Sequence, residues 1–284
     1  MRSSPGRGGT STAADLIRRA TEMLTVGPQP ETSRLDAELL AAHVAGRDRA
    51  AVLMHEDIAF DTDAYEHLIQ RRATGEPLAY IIGHAEFWSL TLAVGPAVLI
   101  PRADSECLIE AALEAAEPPA RILDLGTGSG CLLLAALSEV EGASGTGIDA
   151  SADALSIAGA NAEALGLDGR AEVRAGNWCA GLTEAFDLIL CNPPYVGTAD
   201  TLGPGVREHE PGTALFAGAD GLAAYREILP QIADRLAPAG LAIFEIGRGQ
   251  ADAVEGLARA AGLAPAGRRR DLAGHERALI FTLA

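Results

Sequence analysis

The strongest constraint on the fold of this 284-residue chain is the alternation of short apolar runs with helical stretches after Pro101. The runs are bounded by glycine or polar residues, as strands are, and the stretches between them carry apolar residues at helical spacing. This order predicts an α/β domain: a doubly wound, mostly parallel sheet with helices on both faces. Strands are expected in the segments RILDLG, SGTGID, AEVRAG, FDLILCN and LAIFEIG. The last run, RALIFTL, is predicted to add an antiparallel edge strand.

The chain before Pro101 follows other patterns. Residues 13–76 repeat apolar side chains every three or four positions, which predicts a small helical bundle with Ser33 as an N-cap. Residues 77–103 are rich in β-branched and aromatic side chains around glycines and predict a β-hairpin connector. Residues 1–12 are polar and predict a flexible tail that lacks the apolar core of a signal peptide. The α/β domain would then span residues 104–284.

Glycines or polar side chains stand at the ends of four predicted strands. The second ends at Asp149, the third leads into Asn177 and Trp178, and the fourth ends at Asn192. Because the carboxyl ends of parallel strands meet at one edge of a sheet, these residues are expected to line one crevice. There a carboxylate can accept from ribose hydroxyls and an indole can face an adenine ring, although Trp178 also suits a core. The first strand leads into a glycine-rich loop of Gly126, Thr127, Gly128, Ser129 and Gly130.

The tetrapeptide Asn192, Pro193, Pro194 and Tyr195, called here the NPPY segment, ends the fourth strand. Proline has no N–H for a strand ladder, so the strand must stop at Asn192. One interpretation is an ordinary turn, since asparagine and proline favour turns. The other is a rigid polar segment at the mouth of the crevice.

The order of these motifs resembles the class I S-adenosylmethionine-dependent methyltransferases, and the NPPY segment resembles the members that methylate planar nitrogens. The resemblance implies a Rossmann-like sheet of seven strands with S-adenosylmethionine as cofactor. A planar amide or amine nitrogen has a delocalised lone pair, so it must be held with that pair facing the methyl group. The side-chain oxygen of Asn192 and a proline carbonyl can accept the two N–H bonds of an NH₂ group, and Tyr195 can close over it.

Segments in order along nearly the whole chain resemble one family, the peptide chain release factor glutamine N5-methyltransferases. The resemblance implies an enzyme that methylates the glutamine in the Gly-Gly-Gln loop of class 1 release factors. It implies that Asn192 to Tyr195 hold the glutamine, and that Gly126 to Gly130, Asp149, Asn177, Trp178 and Asn192 bind the cofactor. The matching segments are DAELLAAHV, YIIGHAEFWSLTLAV, VLIPRADSE, ILDLGTGSG, NPPY, EPGTALFAGADGL, FEIGRGQ and RDLAGHERAL.

This chain departs from the family at three positions: Ala103 and Ser105 replace the usual proline and threonine, and Asn177 replaces a common acidic residue. Two alternatives stay open among enzymes. One is a methyltransferase of a ribosomal-protein glutamine, and the other is a nucleic-acid adenine N6-methyltransferase. A cofactor-binding or docking protein that has lost catalysis is a further hypothesis, which the intact NPPY segment and glycine-rich loop oppose.

Charge bears on the choice of partner. The net charge is −17 and the chain has no lysine, which opposes binding to nucleic acid because that needs clustered positive charge. The basic run Arg268 to Arg270 is predicted to be a solvated loop, and Arg102 is expected to pair with Glu106.

Cysteine usage and hydropathy bear on location. The four cysteines lack metal-site spacing and suggest reduced thiols in a cytoplasmic protein, so no metal is expected. No apolar run reaches the length of about 18 residues that a membrane span needs. The chain is expected to be a monomer that contacts no membrane.

Overall fold

The computed structural model describes residues 12–54, 58 and 61–284 of the chain. The predicted flexible tail, apart from Thr12, lies outside the described residues. The chain divides into two units. The helical unit contains the residues up to Ile82 together with Gly203–His209, and the sheet unit contains Gly83–Leu202 and Glu210–Ala284.

The first part of the helical unit is a bundle that buries one face of each longer helix. Its described helices are α1 (Ala13–Thr25), α2 (Ser33–Ala45), α3 (Arg49–Met54), α4 (Thr62–Ala73) and α5 (Leu78–Ile82). The Thr12 side chain caps α1 and the Asp61 side chain caps α4 by accepting backbone N–H bonds. The prediction of Ser33 as an N-cap is wrong. A 3-10 turn at Pro30–Thr32 leads directly into α2, so Ser33 is already helical and its hydroxyl donates to the Pro30 carbonyl at 2.7 Å.

The sheet unit begins with a β-hairpin of strands β1 (His84–Phe87) and β2 (Leu90–Ala93). Its two turn residues, Trp88 and Ser89, have φ values of 51° and 59°, as tight hairpin turns require. The Trp88 N–H donates to Glu106 Oε1 at 2.9 Å. Glu106 therefore holds the hairpin.

A seven-stranded sheet forms the rest of the unit, with the order β5-β4-β3-β6-β7-β9-β8. The first five strands in this order are parallel, and β9 runs antiparallel to both of its neighbours, β7 and β8. The predicted fold class is confirmed. The strands are β3 (Arg121–Leu125), β4 (Ser144–Asp149), β5 (Ala171–Ala175), β6 (Phe186–Cys191), β7 (Leu236–Glu245), β8 (Leu263–Arg270) and β9 (Glu276–Leu283).

Helices cover both faces of the sheet. They are α6 (Glu106–Leu113), α7 (Cys131–Glu139), α8 (Ala152–Ala164), α11 (Ala223–Ile232) and α12 (Ala251–Ala260). The short helix α10 (Gly212–Leu215) also belongs to the sheet unit, while α9 (Val206–His209) lies in the helical unit. Neighbouring residues of one strand enter different cores: Leu188 and Leu190 of β6 pack on one face, and Ile189 packs on the other. Strands buried on both faces explain the continuous apolar runs in the sequence.

The structure corrects two predictions at the antiparallel end of the sheet. Strand β9 is not an edge strand, because β8 pairs with it on the side away from β7. The basic run Arg268 to Arg270 is not a loop but the end of β8. Arg268 forms ion pairs with Asp252, Glu255 and Glu276, which lie on α12 and β9.

The segment Gly203–His209 packs with the helical unit although it follows β6 in the chain. Gln29 Nε2 donates to the Pro204 carbonyl at 2.9 Å. Gly205 has a φ of 80°, and a Cβ there would lie 2.4 Å from the Gly75 carbonyl oxygen, so no larger residue fits this close approach.

Candidate active site

A cavity of about 450 Å³ opens at the carboxyl ends of the central parallel strands, entirely within the sheet unit. Nine of the predicted site residues line it: Gly126, Thr127, Gly128, Ser129, Asp149, Asn177, Trp178, Asn192 and Pro194. Gly130, Pro193 and Tyr195 do not line it. The cavity is therefore the crevice expected from the strand ends.

The glycine-rich loop holds a conformation that needs glycine. Gly126, Gly128 and Gly130 have φ values of 70°, 55° and 83°. The N–H groups of Gly126 and Thr127 both donate to the Ile148 carbonyl, at 2.9 and 3.0 Å, which ties the loop to β4. Gly130 instead precedes α7, where a Cβ would press on Leu134 at 3.1 Å. Its role is packing rather than lining the cavity.

Asp149 joins two loops at the end of β4. Its Oδ2 accepts from the Gly128 N–H at 2.9 Å, and its Oδ1 accepts from the Ser151 N–H at 2.9 Å. Each carboxylate oxygen has a second lone pair. Asp149 can therefore hold the glycine-rich loop and still accept a hydrogen bond from a hydroxyl in the cavity.

Trp178 combines the two roles that the sequence left open. Its indole lines the cavity and also packs against the hydrophobic core. A Cβ on Gly126 would lie 3.4 Å from the ring, so the glycine leaves room for the indole beside the loop. The neighbouring Asn177 is exposed and donates from Nδ2 to Glu227 Oε1 at 3.0 Å.

The NPPY segment is divided between the cavity and the protein interior. Asn192 and Pro194 line the cavity, and Asn192 Nδ2 lies 3.4 Å from Ser105 Oγ, at the outer limit of a hydrogen bond. The Tyr195 hydroxyl donates to Glu245 Oε1 at 3.1 Å, and burial raises the pKa of the Tyr195 phenol. Its ring does not line the cavity in this structure.

One residue that lines the cavity forms an ion pair that the sequence did not predict. Arg102 lines the cavity and pairs with the buried Glu210, not with Glu106 as expected. Glu210 Oε2 also accepts from the Ile100 N–H at 3.2 Å. Glu106 instead accepts from the Trp88 N–H. Arg102 and Glu210 are 108 residues apart in the chain, so no local pattern signals their contact.

Two cavity-lining side chains keep polar atoms without partners. Asp124 Oδ1 and Ser129 Oγ are buried and have no hydrogen-bond partner of ordinary geometry among the described residues. The other oxygen of Asp124 accepts from the Thr127 hydroxyl at 2.7 Å. Burial raises the pKa of the Asp124 carboxyl to about 7, against the opposing effects of the Thr127 hydroxyl and the Leu133 backbone N–H. These groups suit a ligand that carries hydrogen-bond donors.

Membrane-spanning helices and metal-binding clusters are both absent from the part of the chain that the structure describes. No helix there is long and apolar enough to cross a membrane. No group of three or more His, Cys, Asp or Glu side chains there is arranged to hold a metal ion.

Comparison with family models assigns both parts of the chain. Residues 15–83 match the model described as PrmC N-terminal domain. Residues 103–203 match the model described as Methyltransferase small domain.

Several curated proteins similar to this chain share one description. A release factor glutamine methyltransferase of Rhodospirillum rubrum is 47% identical over 256 residues, covering 88% of this chain and 79% of that protein. A protein of the same description from Bradyrhizobium diazoefficiens is 42% identical and covers 95% of both chains. Among solved structures, a methyltransferase from Pyrococcus furiosus has a TM-score of 0.51 at 18% identity, covering 68% of this chain and 88% of that chain. At that identity the likeness shows the fold alone.

Proposed function

The chain belongs to the family of release factor glutamine methyltransferases, and on that premise we propose how its residues carry out the reaction. It is an S-adenosylmethionine-dependent enzyme that methylates a glutamine of a peptide chain release factor. We place the acceptor at the side-chain amide nitrogen, N5, of the glutamine in the Gly-Gly-Gln loop of class 1 release factors. The observation that carries this proposal is that Asn192 and Pro194 line the same cavity as the glycine-rich loop and Asp149.

The cavity fits S-adenosylmethionine, whose sulfonium supplies the methyl group. The loop Gly126 to Gly130 lets backbone approach a ligand closely, and Asp149 offers acceptors for ribose hydroxyls. Trp178 and Asn177 would stand beside the adenine. The partnerless Asp124 Oδ1 and Ser129 Oγ match the donors that a methionine ammonium group carries.

The NPPY segment would orient the glutamine. The side-chain oxygen of Asn192 and a proline carbonyl accept the two N–H bonds of the amide NH₂, so that the nitrogen faces the methyl group. The prolines restrict the backbone, so little conformational entropy is lost on binding. Tyr195 supports the segment through its hydrogen bond to Glu245. The methylated nitrogen releases a proton to water, and no covalent enzyme intermediate is needed.

The acceptor is tested by a panel of substrates. The purified chain is incubated with methyl-labelled S-adenosylmethionine and, separately, a class 1 release factor, the same factor with its Gly-Gly-Gln glutamine changed to alanine, a ribosomal protein, and DNA. We expect label on the intact release factor alone. Label on ribosomal protein or on DNA instead would favour one of the two alternatives and contradict the proposal.

The role of Asn192 is tested by Asn192→Ala. The variant should lose methyl transfer and keep cofactor binding in calorimetry, because the removed acceptor faces the substrate. Gln231→Ala, which removes an amide outside the cavity, serves as the control. Near-normal turnover of Asn192→Ala would refute the role assigned to it.

We further propose that the helical unit docks the release factor. Seven large apolar side chains are exposed in the described residues, and five of them lie in this unit: Met23, Val26, Leu35, Leu53 and Met54. Exposed apolar side chains favour contact with another protein where they lie together on a surface.

We also propose a monomer in the cytoplasm that binds no nucleic acid. The net charge of −17 and four cysteines that are all free support this. A dimer mass in light scattering, or retention on immobilised RNA at moderate salt, would contradict it.

A further inference from the structure

Glu245 is a buried acid that the mechanism above leaves partly unused. It ends strand β7 and is 1% exposed. Its Oε1 accepts from the Tyr195 hydroxyl, but its Oε2 has no hydrogen-bond partner of ordinary geometry among the described residues. A buried carboxylate oxygen without a donor is costly to the fold, so this position calls for a reason.

An ion pair does not supply that reason. The charge of Arg277 lowers the pKa of Glu245. The Arg277 guanidinium, however, donates its hydrogen bonds to Asp271 at 3.0 Å, to Asp104 at 3.2 Å and to the Ile246 carbonyl at 3.2 Å. Glu245 is therefore stabilised by a cation at a distance, and its second oxygen is left for another donor.

Ser105 carries a hydroxyl that interacts with the Glu245 carboxyl. Its side chain is buried, and its hydroxyl favours the charged form of Glu245. The same hydroxyl oxygen lies 3.4 Å from Asn192 Nδ2. Ser105 thus stands between Glu245 and the asparagine that faces the cavity.

The chemistry of these three groups decides which of them donates and which accepts in each hydrogen bond. An ionised carboxylate only accepts hydrogen bonds, so the single proton of the Ser105 hydroxyl turns toward Glu245. The lone pairs of Ser105 are then left for the NH₂ end of the Asn192 amide. With its NH₂ end engaged, Asn192 presents its oxygen to the cavity.

We propose that Glu245 is a positioning residue that acts through Ser105 to keep the Asn192 side-chain oxygen facing the substrate amide. Through Tyr195 it also anchors the far end of the NPPY segment. This inference rests on the proposed function of Asn192 as the acceptor for the glutamine NH₂. If the side-chain amide of Asn192 were flipped, its NH₂ group would face the NH₂ group of the substrate, and neither could accept a hydrogen bond from the other.

The ionisation of Glu245 should then control the rate. Burial raises the pKa of Glu245 to about 7, against the effects of Ser105, Tyr195 and Arg277. A protonated Glu245 can donate to the Ser105 oxygen, and the Ser105 hydroxyl no longer has to donate to Glu245. Asn192 is then no longer held with its oxygen toward the cavity, so turnover should rise with pH as the carboxyl ionises. The other titratable groups that interact electrostatically with Glu245 are Asp104, Cys107, Cys131, Cys191 and Tyr225. Burial raises the pKa of each of these three thiols and of the Tyr225 phenol, which keeps them neutral near pH 7.

The test uses the full chain with a release factor and S-adenosylmethionine. Glu245→Gln and Ser105→Ala should each lower kcat by about tenfold or more, the scale of one lost buried hydrogen bond. The KM for S-adenosylmethionine should not change in Glu245→Gln, whose side chain does not line the cavity. Ser105→Thr, which keeps a hydroxyl, should restore kcat, and Glu245→Gln should lose the rise of kcat across pH 7. Glu255→Gln, which removes a buried carboxylate held by Arg268 and Arg259 outside the cavity, is the matched control.

Three results would overturn the proposal. They are unchanged kcat in Glu245→Gln or Ser105→Ala, failure of Ser105→Thr to restore what Ser105→Ala loses, or losses of cofactor binding and thermal stability as large as the loss of kcat. If the wild-type chain itself does not methylate the release factor, the proposed function fails and this inference fails with it.

Discussion

Asp149 accepts two backbone hydrogen bonds at the end of β4, and this predicts a measurable role in cofactor affinity. Asp149→Ala should weaken binding of S-adenosylmethionine by about 10- to 100-fold, because it frees the glycine-rich loop and removes an acceptor for the ribose. Isothermal titration calorimetry measures this directly. Glu163→Ala, an exposed acid at the end of α8, is the control. Equal affinities of wild type and Asp149→Ala would contradict the prediction.

Asp124 predicts a dependence of stability on pH. Its pKa is raised from 3.8 to about 7 by burial, so between these values the folded chain holds a proton that the unfolded chain has released. Folding stability from this group therefore falls as pH rises from about 4 to about 7. Asp124→Asn removes the effect, and its oxygen can still accept from Thr127.

Thermal unfolding at pH 5 and pH 8 tests the prediction for Asp124. The stability of Asp124→Asn relative to wild type should be greater at pH 8, by a few kcal/mol at most, since one pKa unit corresponds to about 1.4 kcal/mol. Glu245 titrates in the same range but is present in both proteins, so its contribution cancels. A difference that is equal at both pH values would show that Asp124 ionises normally in the folded chain.

Because β9 lies between β7 and β8, its side chains are expected to contribute to the stability of the core. Phe281 on this strand is fully buried and meets the Phe244 ring edge-on at a centroid distance of 6.1 Å. Phe281→Ala should lower the free energy of unfolding by about 3–5 kcal/mol, because it leaves a cavity in the core. Leu272→Ala, which changes a fully exposed side chain in the turn between β8 and β9, should change it by less than about 0.5 kcal/mol.

Urea unfolding followed by tryptophan fluorescence separates these two variants. Both tryptophans, Trp88 and Trp178, lie in the sheet unit, so the signal reports that unit. A loss in Phe281→Ala as small as that in Leu272→Ala would mean that β9 is not a core strand.

At the scale of the whole molecule, docking by the helical unit predicts a separation of kinetic effects. Val26→Ser and Met54→Ser, made singly, should raise the KM for the release factor, because interface anchors contribute more than about 1 kcal/mol each. Their kcat and their KM for S-adenosylmethionine should not change, since the cavity lies entirely in the sheet unit. Leu113→Ser, an exposed apolar position on the sheet unit, is the control. The docking role would be refuted if the two helical-unit variants kept the KM of wild type.

The sequence predicts most strands and helices and most residues of the cavity, because these depend on local patterns. Apolar periodicity predicted the parallel strands and their helices, and closely spaced glycines predicted the loop after β3. The structure shows that these glycines have positive φ values. Strand ends predicted which side chains share the cavity, since parallel strands place their carboxyl ends at one edge. Asn192 and Asp149 were found in this way.

Contacts between distant segments were decided by the tertiary structure. The sequence predicted that the last strand is antiparallel but not that β8 covers its outer edge, because strand order depends on packing between elements and not on local pattern. The same holds for Arg102, which pairs with Glu210, and for Tyr195, whose hydroxyl meets Glu245. Sequence alone therefore determined the types of most elements and the chemical character of the site, but it missed the strand that ends with Arg268 to Arg270. The sheet order then selected the partner of each buried polar group, since a hydrogen bond needs two groups within about 3 Å and only the folded chain brings them there.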